Sequence, residues 1–193
     1  INNLCNSGFN NFKVIVNYKK ELIKSYMNDN NYSYELEFFE ESEYYGTVGG
    51  LTMLKGKIET NFILTNCDII SYLNYSALME WHNNHGADLT VLGVRKRIDV
   101  PYGVLEVNDH SFITKINEKP HFHNLIVGGL YVLSPSILDQ IPEGEPFGMD
   151  QLIKKLIGQG KKVTCYPLDH GWHDIGQFDE YRELLRTIGD IDA

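Results

Sequence analysis

The sequence is short of cysteine, of positive charge and of long apolar runs, and each shortage removes a class of protein. Its three cysteines, Cys5, Cys67 and Cys165, are odd in number and far apart. That count and spacing build neither a disulfide framework nor a zinc motif, so a reducing cytoplasm is the expected compartment. No apolar run approaches the roughly 20 residues that cross a bilayer. No basic segment followed by an apolar stretch opens the chain, so no secretory signal and no membrane partner are expected. Lys and Arg number 17 against 26 Asp and Glu, a formal net charge of −9. Binding a nucleic-acid backbone needs clustered cations, so nucleic acid is excluded as the main partner. A nucleotide remains admissible if metal ions and a few placed cations offset its phosphates.

What is present is a soluble-type composition, 42% hydrophobic and 22% charged, over 193 residues. That is enough chain to bury one substantial core. Without repeats, low-complexity tracts or a linker, residues 1–193 are expected to form a single domain. Strand-like and helix-like segments alternate. Phe12 to Tyr18 reads as a buried strand, followed by a helix through Leu22, Ile23, Tyr26 and Met27, and a turn-rich break over Asn28 to Asn31. Ser33 to Glu41 alternates at period two, and Gly46 to Gly50 opens a short helix through Leu51 and Leu54.

Further along, a strand over Phe62 to Cys67 is closed by Asp68, and a helix from Leu73 to His85 is stopped by Gly86. His82 and His85 on that helix read as surface histidines, with no third metal ligand in view. Leu89 to Val94 is a strand, Gly103 to Val107 and Phe112 to Ile116 form a hairpin, and Ile126 to Leu133 is another strand. Pro135 starts a helical turn. Met149, Leu152, Ile153, Leu156 and Ile157 fit the i, i+3, i+4, i+7, i+8 stripe of a helix whose apolar face is core. A strand over Val163 to Leu168 and a helix over Phe178 to Ile188 close the chain. Such alternation predicts an α/β fold with a mixed, mostly parallel sheet and helices on both faces.

Asp68 and Asp174 both fall after strand-like runs, and Glu118-Lys119-Pro120 follows a third. In open α/β sheets ligands bind beyond the carboxyl ends of the strands. Two carboxylates and a lysine delivered there suit a divalent cation and phosphates. Mg²⁺ in particular is held by one or two carboxylates, with substrate phosphates and water completing its shell.

Taken in order, the chain offers Gly46-Thr47, Asn66-Cys67-Asp68, Pro101-Tyr102-Gly103-Val104, Glu118-Lys119-Pro120, Gly128-Gly129-Leu130-Tyr131 and Trp172-His173-Asp174-Ile175-Gly176. In this order and spacing, from about Phe12 onward, the chain resembles the sugar-1-phosphate nucleotidyltransferases. These are the nucleotide-sugar pyrophosphorylases of nucleotide-sugar biosynthesis. The resemblance implies a Rossmann-like fold of the nucleotide-diphospho-sugar transferase type. It also implies attack by a sugar 1-phosphate on the α-phosphate of an NTP, expelling pyrophosphate, with Mg²⁺ as cofactor. Asp68 and Asp174 would hold the metal. Lys119 would bind the sugar phosphate and Glu118 the sugar hydroxyls. Gly103 and Gly129 would approach the substrate closely, and Gly46 and Thr47 would lie against the base. Both reactants are anionic: each unit-charge pair at about 4 Å costs roughly 4 kcal/mol at an effective dielectric near 20. Metal-bearing carboxylates and a lysine remove most of that term, leaving positioning to complete the catalysis.

The chain departs from the family's pattern in three places. Cys67 stands where glycine is common, a packing variant. Val127 stands near an asparagine that meets the sugar, which leaves sugar identity open. The family's first strand, glycine-rich phosphate-binding loop and Pro-Lys pair have no counterpart before Phe12. The domain is therefore expected to be N-terminally truncated and the chain as given inactive. Two other functions compete with this one. One is a non-catalytic nucleotide-sugar-binding regulatory relative. The other is a glycosyltransferase, whose Asp-x-Asp metal motif has its sole counterpart here at Asp190 and Asp192. The oligomeric state stays open, a homo-oligomer included.

Overall fold

The computed structural model describes residues 1–28 and 34–189. The Asp190/Asp192 pair and the break after Asn28 lie outside them. A four-residue helix, α1 (Asn2–Cys5), which the sequence pattern did not announce, precedes β1 (Asn11–Val16), α2 (Lys20–Asn28) and β2 (Glu35–Glu40). A 3₁₀ turn over Gly49–Leu54 leads to β3 (Phe62–Thr65), β4 (Ile69–Ser71), α3 (Tyr75–His85) and β5 (Leu89–Asp99). The hairpin β6 (Val104–Val107) and β7 (Ile113–Asn117) precedes β8 (His121–Leu133) and a second 3₁₀ turn over Pro135–Gln140. Then come α4 (Met149–Gly158), β9 (Val163–Leu168), β10 (Trp172–Asp174) and α5 (Phe178–Gly189).

The central sheet runs β3-β8-β5-β9, beside the separate pairs β1-β2, β4-β10 and β6-β7. It is mixed, as expected, but parallel pairing does not predominate. Only β1-β2 and β5-β9 are parallel among the described ladders; β8 runs antiparallel to both β3 and β5. The chain leaves the sheet on β5, turns through the β6-β7 hairpin and returns directly on β8. A return without a crossover helix runs antiparallel.

Alternation on β8 splits the core between the two faces. Leu130 and Val132 pack with Leu92, Val94, Leu78 of α3 and Leu4 of α1. Tyr131 and Leu133 pack with Leu89, Val91 and the α4 residues Met149, Leu152 and Leu156. Helices thus cover both faces. Fully burying a leucine stabilises by about 2 kcal/mol, so Leu152 and Leu156 anchor α4 firmly. The predicted stripe overreaches at Ile157, which is 60% exposed at the edge of the apolar face.

Helix α3 begins where the Asn74 side chain accepts the Ala77 N–H and ends at Gly86 in the left-handed region. His82 is not a surface residue: it is 0% exposed, and its Nδ1 lies 2.8 Å from Thr90 Oγ1. Thr90 points to the α3 side of β5, and its buried hydroxyl is shared between the imidazole and Thr164 Oγ1. Among the described residues no helix is long and apolar enough to cross a membrane.

Candidate active site

A bulge in β8 organises the site. Val91 pairs with Tyr131 but Gly93 already pairs with Val127, so β8 carries two surplus residues against Leu92. Gly129 absorbs the kink at φ +67°, where a Cβ would stand 2.9 Å from Ile69 Cγ1. The bulge turns two carbonyls away from the ladder, and both find donors. The Asn66 N–H donates to Gly129 O at 2.9 Å, and the Trp172 indole N–H donates to Gly128 O at 2.7 Å. Two segments far apart in sequence are thereby fastened to one point of the sheet.

Those segments are the ones that carry the aspartates. Asp68 does not close β3, which ends at Thr65; it lies in the turn between β3 and β4. Asp174 ends β10, a three-residue strand that the sequence pattern did not announce. β10 pairs antiparallel with β4, Asp174 opposite Ile69, and the Ile175 N–H donates to Asp68 O at 2.9 Å. Both acids therefore stand at one end of the same ladder. A Cβ on Gly176 would lie 3.0 Å from Asp68 Oδ2 and 3.1 Å from Asp174 Oδ1. The Gly176 N–H donates to Asp174 Oδ1 at 3.0 Å, so Asp174 also shapes its own turn.

The two carboxylates facing one bare glycine fit a divalent cation. Among the described residues no third His, Cys, Asp or Glu joins them. Two protein ligands with room for phosphates and water suit a hard cation that keeps part of its shell open.

The other expected residues form two further groups. A Cβ on Gly103 would lie 3.0 Å from Glu118 Oε2, and the Val100 N–H donates to Pro120 O at 2.9 Å. The Pro101-Tyr102-Gly103 and Glu118-Lys119-Pro120 segments thus meet at the base of the hairpin. Lys119 sits there at φ +45°, one of three non-glycine residues with positive φ among those described. Such strained positions cluster at functional sites. No ion pair joins Lys119 to Asp68 or Asp174 among the described residues, and up to about 30 Å of β8 runs between Pro120 and Gly129. Val127 is 57% exposed on that strand.

Gly46 and Thr47 belong to a loop that packs on the start of α4. Gly46 at φ +76° leaves no room for a Cβ, which would stand 2.6 Å from Phe147 O. Thr47 Oγ1 accepts the Met149 N–H at 2.9 Å, which makes it a cap for α4. Sequence reasoning missed the roles of Trp172, Gly128 and Gly176. The Gly-Gly pair inside a strand was the available signal, because glycine there marks a bulge or a close backbone approach.

The fold and the paired acids describe a class, the α/β proteins that gather acidic side chains at a sheet edge. Comparison with known proteins narrows it: the profile described as nucleotidyl transferase matches residues 1–190, and the chain belongs to that family. It is similar to the mannose-1-phosphate guanyltransferase of Aspergillus fumigatus, 32% identical over 190 residues, covering 92% of this chain and 51% of that protein. The enzyme of that name from Schizosaccharomyces pombe is 30% identical over 189 residues, with 92% and 51% covered. The chain spans about half the length of the curated relatives it matches (51%). Among solved structures, HddC from Yersinia pseudotuberculosis is 26% identical with a TM-score of 0.72, covering 96% of this chain and 82% of that one. The structure of HddC complexed with GMP-PN superposes with a TM-score of 0.73 at 23% identity, covering 97% and 82%, and speaks to the fold alone.

Proposed function

We propose that the protein is a sugar-1-phosphate nucleotidyltransferase. A phosphate oxygen of the sugar 1-phosphate bonds to the α-phosphorus of an NTP, the α–β bridging P–O bond breaks, and pyrophosphate leaves with the electron pair. The observation that carries this reading is the convergence of Asp68 and Asp174 on Gly176. Magnesium is the ion we assign to that pair, where it would neutralise phosphate charge. Gly46 and Thr47 line the base, Gly103 and Gly129 admit the substrate closely, and Glu118 takes the sugar hydroxyls.

Lys119 meets the incoming phosphate. The other cations near the hairpin are already engaged: Arg95 with Asp169, Lys96 with Glu180, Arg97 with Asp99 and Lys115 with Glu106. Lys119 has no such partner among the described residues, so its charge is available to a phosphate. For it to serve the same phosphate as the acids, the β5-β8 arm must curve over them. Cys5, Cys67 and Cys165 are free thiols, which accords with a reducing cytoplasm.

The relatives are named for guanylyl transfer to mannose 1-phosphate, so GTP and mannose 1-phosphate are the first pair to try. The test takes the full-length gene product with Mg²⁺ through a panel of NTPs and hexose 1-phosphates, measuring pyrophosphate release. Release with one pair supports the reading; an inert panel sinks it.

A further inference from the structure

We propose that Lys96 is a positioning residue that fixes the arm carrying Lys119 against the unit carrying Asp174. Its part in turnover rests on the nucleotidyltransferase reading above. β5 pairs with β9 only as far as Val94 opposite Leu168, yet stays paired with β8 from Arg95 opposite Leu125 to Asp99 opposite His121. Beyond Val94 the sheet is therefore a two-stranded ribbon, and the β6-β7 hairpin continues from its far end. Two strands alone are marginally stable and twist more than a wider sheet. The direction in which the ribbon presents Lys119 has to be set at its root.

Lys96 stands at that root and reaches residues on both sides of Asp174. Its ammonium pairs with Glu180 Oε1 at 2.5 Å and stands over the Trp172 ring, 5.9 Å from the centroid. Trp172 opens β10, which Asp174 closes, and Glu180 lies in the first turn of α5, the next element. The Trp172 indole is already fastened to Gly128 O of β8, so Lys96 holds its face while the sheet holds its edge. One cation thus joins β5, β10 and α5.

Arg95, on the opposite face of β5, pairs with Asp169 just past β9. Both partners there are more than half exposed (53% and 63%), where an ion pair contributes little. Glu180 keeps only 22% of its side chain exposed, and the contact of the ammonium with the ring adds to the pair. Lys96 is the stronger of the two fastenings.

The two reactants depend on the arm differently. The sugar 1-phosphate meets Lys119 and Glu118 on the arm, while its attacking oxygen must reach the α-phosphorus beside the acids. The phosphates of the NTP answer to the acids alone. A misdirected arm therefore weakens the use of the sugar 1-phosphate and spares the NTP, and a misplacement of about 1 Å can cost about 100-fold in rate.

The test compares the full-length wild type with Lys96→Met, Lys96→Arg and Glu180→Gln. Pyrophosphate release is measured with each substrate varied in turn, and hydrogen–deuterium exchange is measured on the same proteins. Lys96→Met keeps the aliphatic stem and deletes the charge. It is expected to raise KM for the sugar 1-phosphate about 10-fold while KM for the NTP stays within about twofold. Amides of residues 95–99 and 121–125 are expected to exchange about 10-fold faster, with β3 and β9 unchanged. Lys96→Arg is expected to stay near the wild type, and Glu180→Gln to follow Lys96→Met in the same direction. Unchanged arm exchange in Lys96→Met and Glu180→Gln, or equal rises in KM for both substrates, overturns the proposal. Faster arm exchange with both KM values intact overturns it as well. A wild type inert with every substrate pair fells the transferase reading alone, and the exchange pattern then still upholds or overturns the clamp.

Discussion

At the scale of single residues, the account turns on Gly176, whose bare Cα leaves space beside two acids. Gly176→Ala would place a methyl group 3.0–3.1 Å from both carboxylates, tighter than they accept without moving apart. Its φ lies outside the positive range, so alanine is compatible with the backbone. The expected outcome is a folded variant whose Mg²⁺ requirement for half-maximal rate rises about 10-fold, on the order of 1.4 kcal/mol. A Mg²⁺ titration alongside a melting curve checks it, and an unchanged requirement would count against the shared site. The convergence of the acids was legible in part, because acids after apolar runs point to a sheet edge, although Asp68 stands in the turn past β3 and not at its end. The glycine between them was not, because an absent side chain announces nothing until its neighbours are in place. His82 was misread for the opposite reason, since a polar residue with a buried hydroxyl partner looks in sequence like a solvated one.

At the scale of elements, the β8 bulge holds the site together, and Trp172 is the strap that ties β10 to it. Trp172→Phe keeps an aromatic ring and deletes the donor, leaving Gly128 O without its bond. A lost hydrogen bond of this kind costs about 1 kcal/mol, which for a domain of this size lowers Tm by roughly 2–4 °C. The larger expected effect is on kcat, about a tenfold fall that excess Mg²⁺ partly restores, because Asp174 is no longer held in register with Asp68. A stability loss with kcat intact would reduce Trp172 to a packing residue.

Elements with apolar alternation were legible within a few residues. β5 and β8 run longer than expected because their outer halves, Arg95–Asp99 and His121–Leu125, are held by pairing with each other rather than by burial. β10 was invisible because three residues are too few to show a period. The placement of Lys119 relative to the acids was equally out of reach, since the curvature of a long strand is not written in its residue types.

At the scale of the whole molecule, α3 is locked to the sheet by His82, Thr90 and Thr164, whose hydroxyls lie 2.9 Å apart. Burial holds the His82 imidazole below its ordinary pKa of 6.5, although the nearby charge of Asp88 acts in the opposite sense. Above 6.5 the ring is neutral in both states and the contribution is complete. As pH falls from 6.5 through the lowered folded value, the unfolded chain takes the proton first and stability is lost. The urea midpoint is therefore expected to fall between pH 7.5 and 5.5, and to fall less in His82→Gln. Equal slopes for the two proteins would remove His82 as the cause. Alternating periodicity gave away the α/β class and the helices on both faces, while strand direction depended on a hairpin excursion that periodicity cannot express.

The claim on which the rest depends is that Asp68 and Asp174 grip one divalent cation between them. Anomalous scattering from crystals of the full-length gene product grown with Mn²⁺ and a nucleoside triphosphate tests it most directly. The account expects one manganese peak within bonding distance of both carboxylates, lost in Asp68→Asn and in Asp174→Asn together with pyrophosphate release. A peak bonded to neither acid, or one that survives both substitutions, would contradict it.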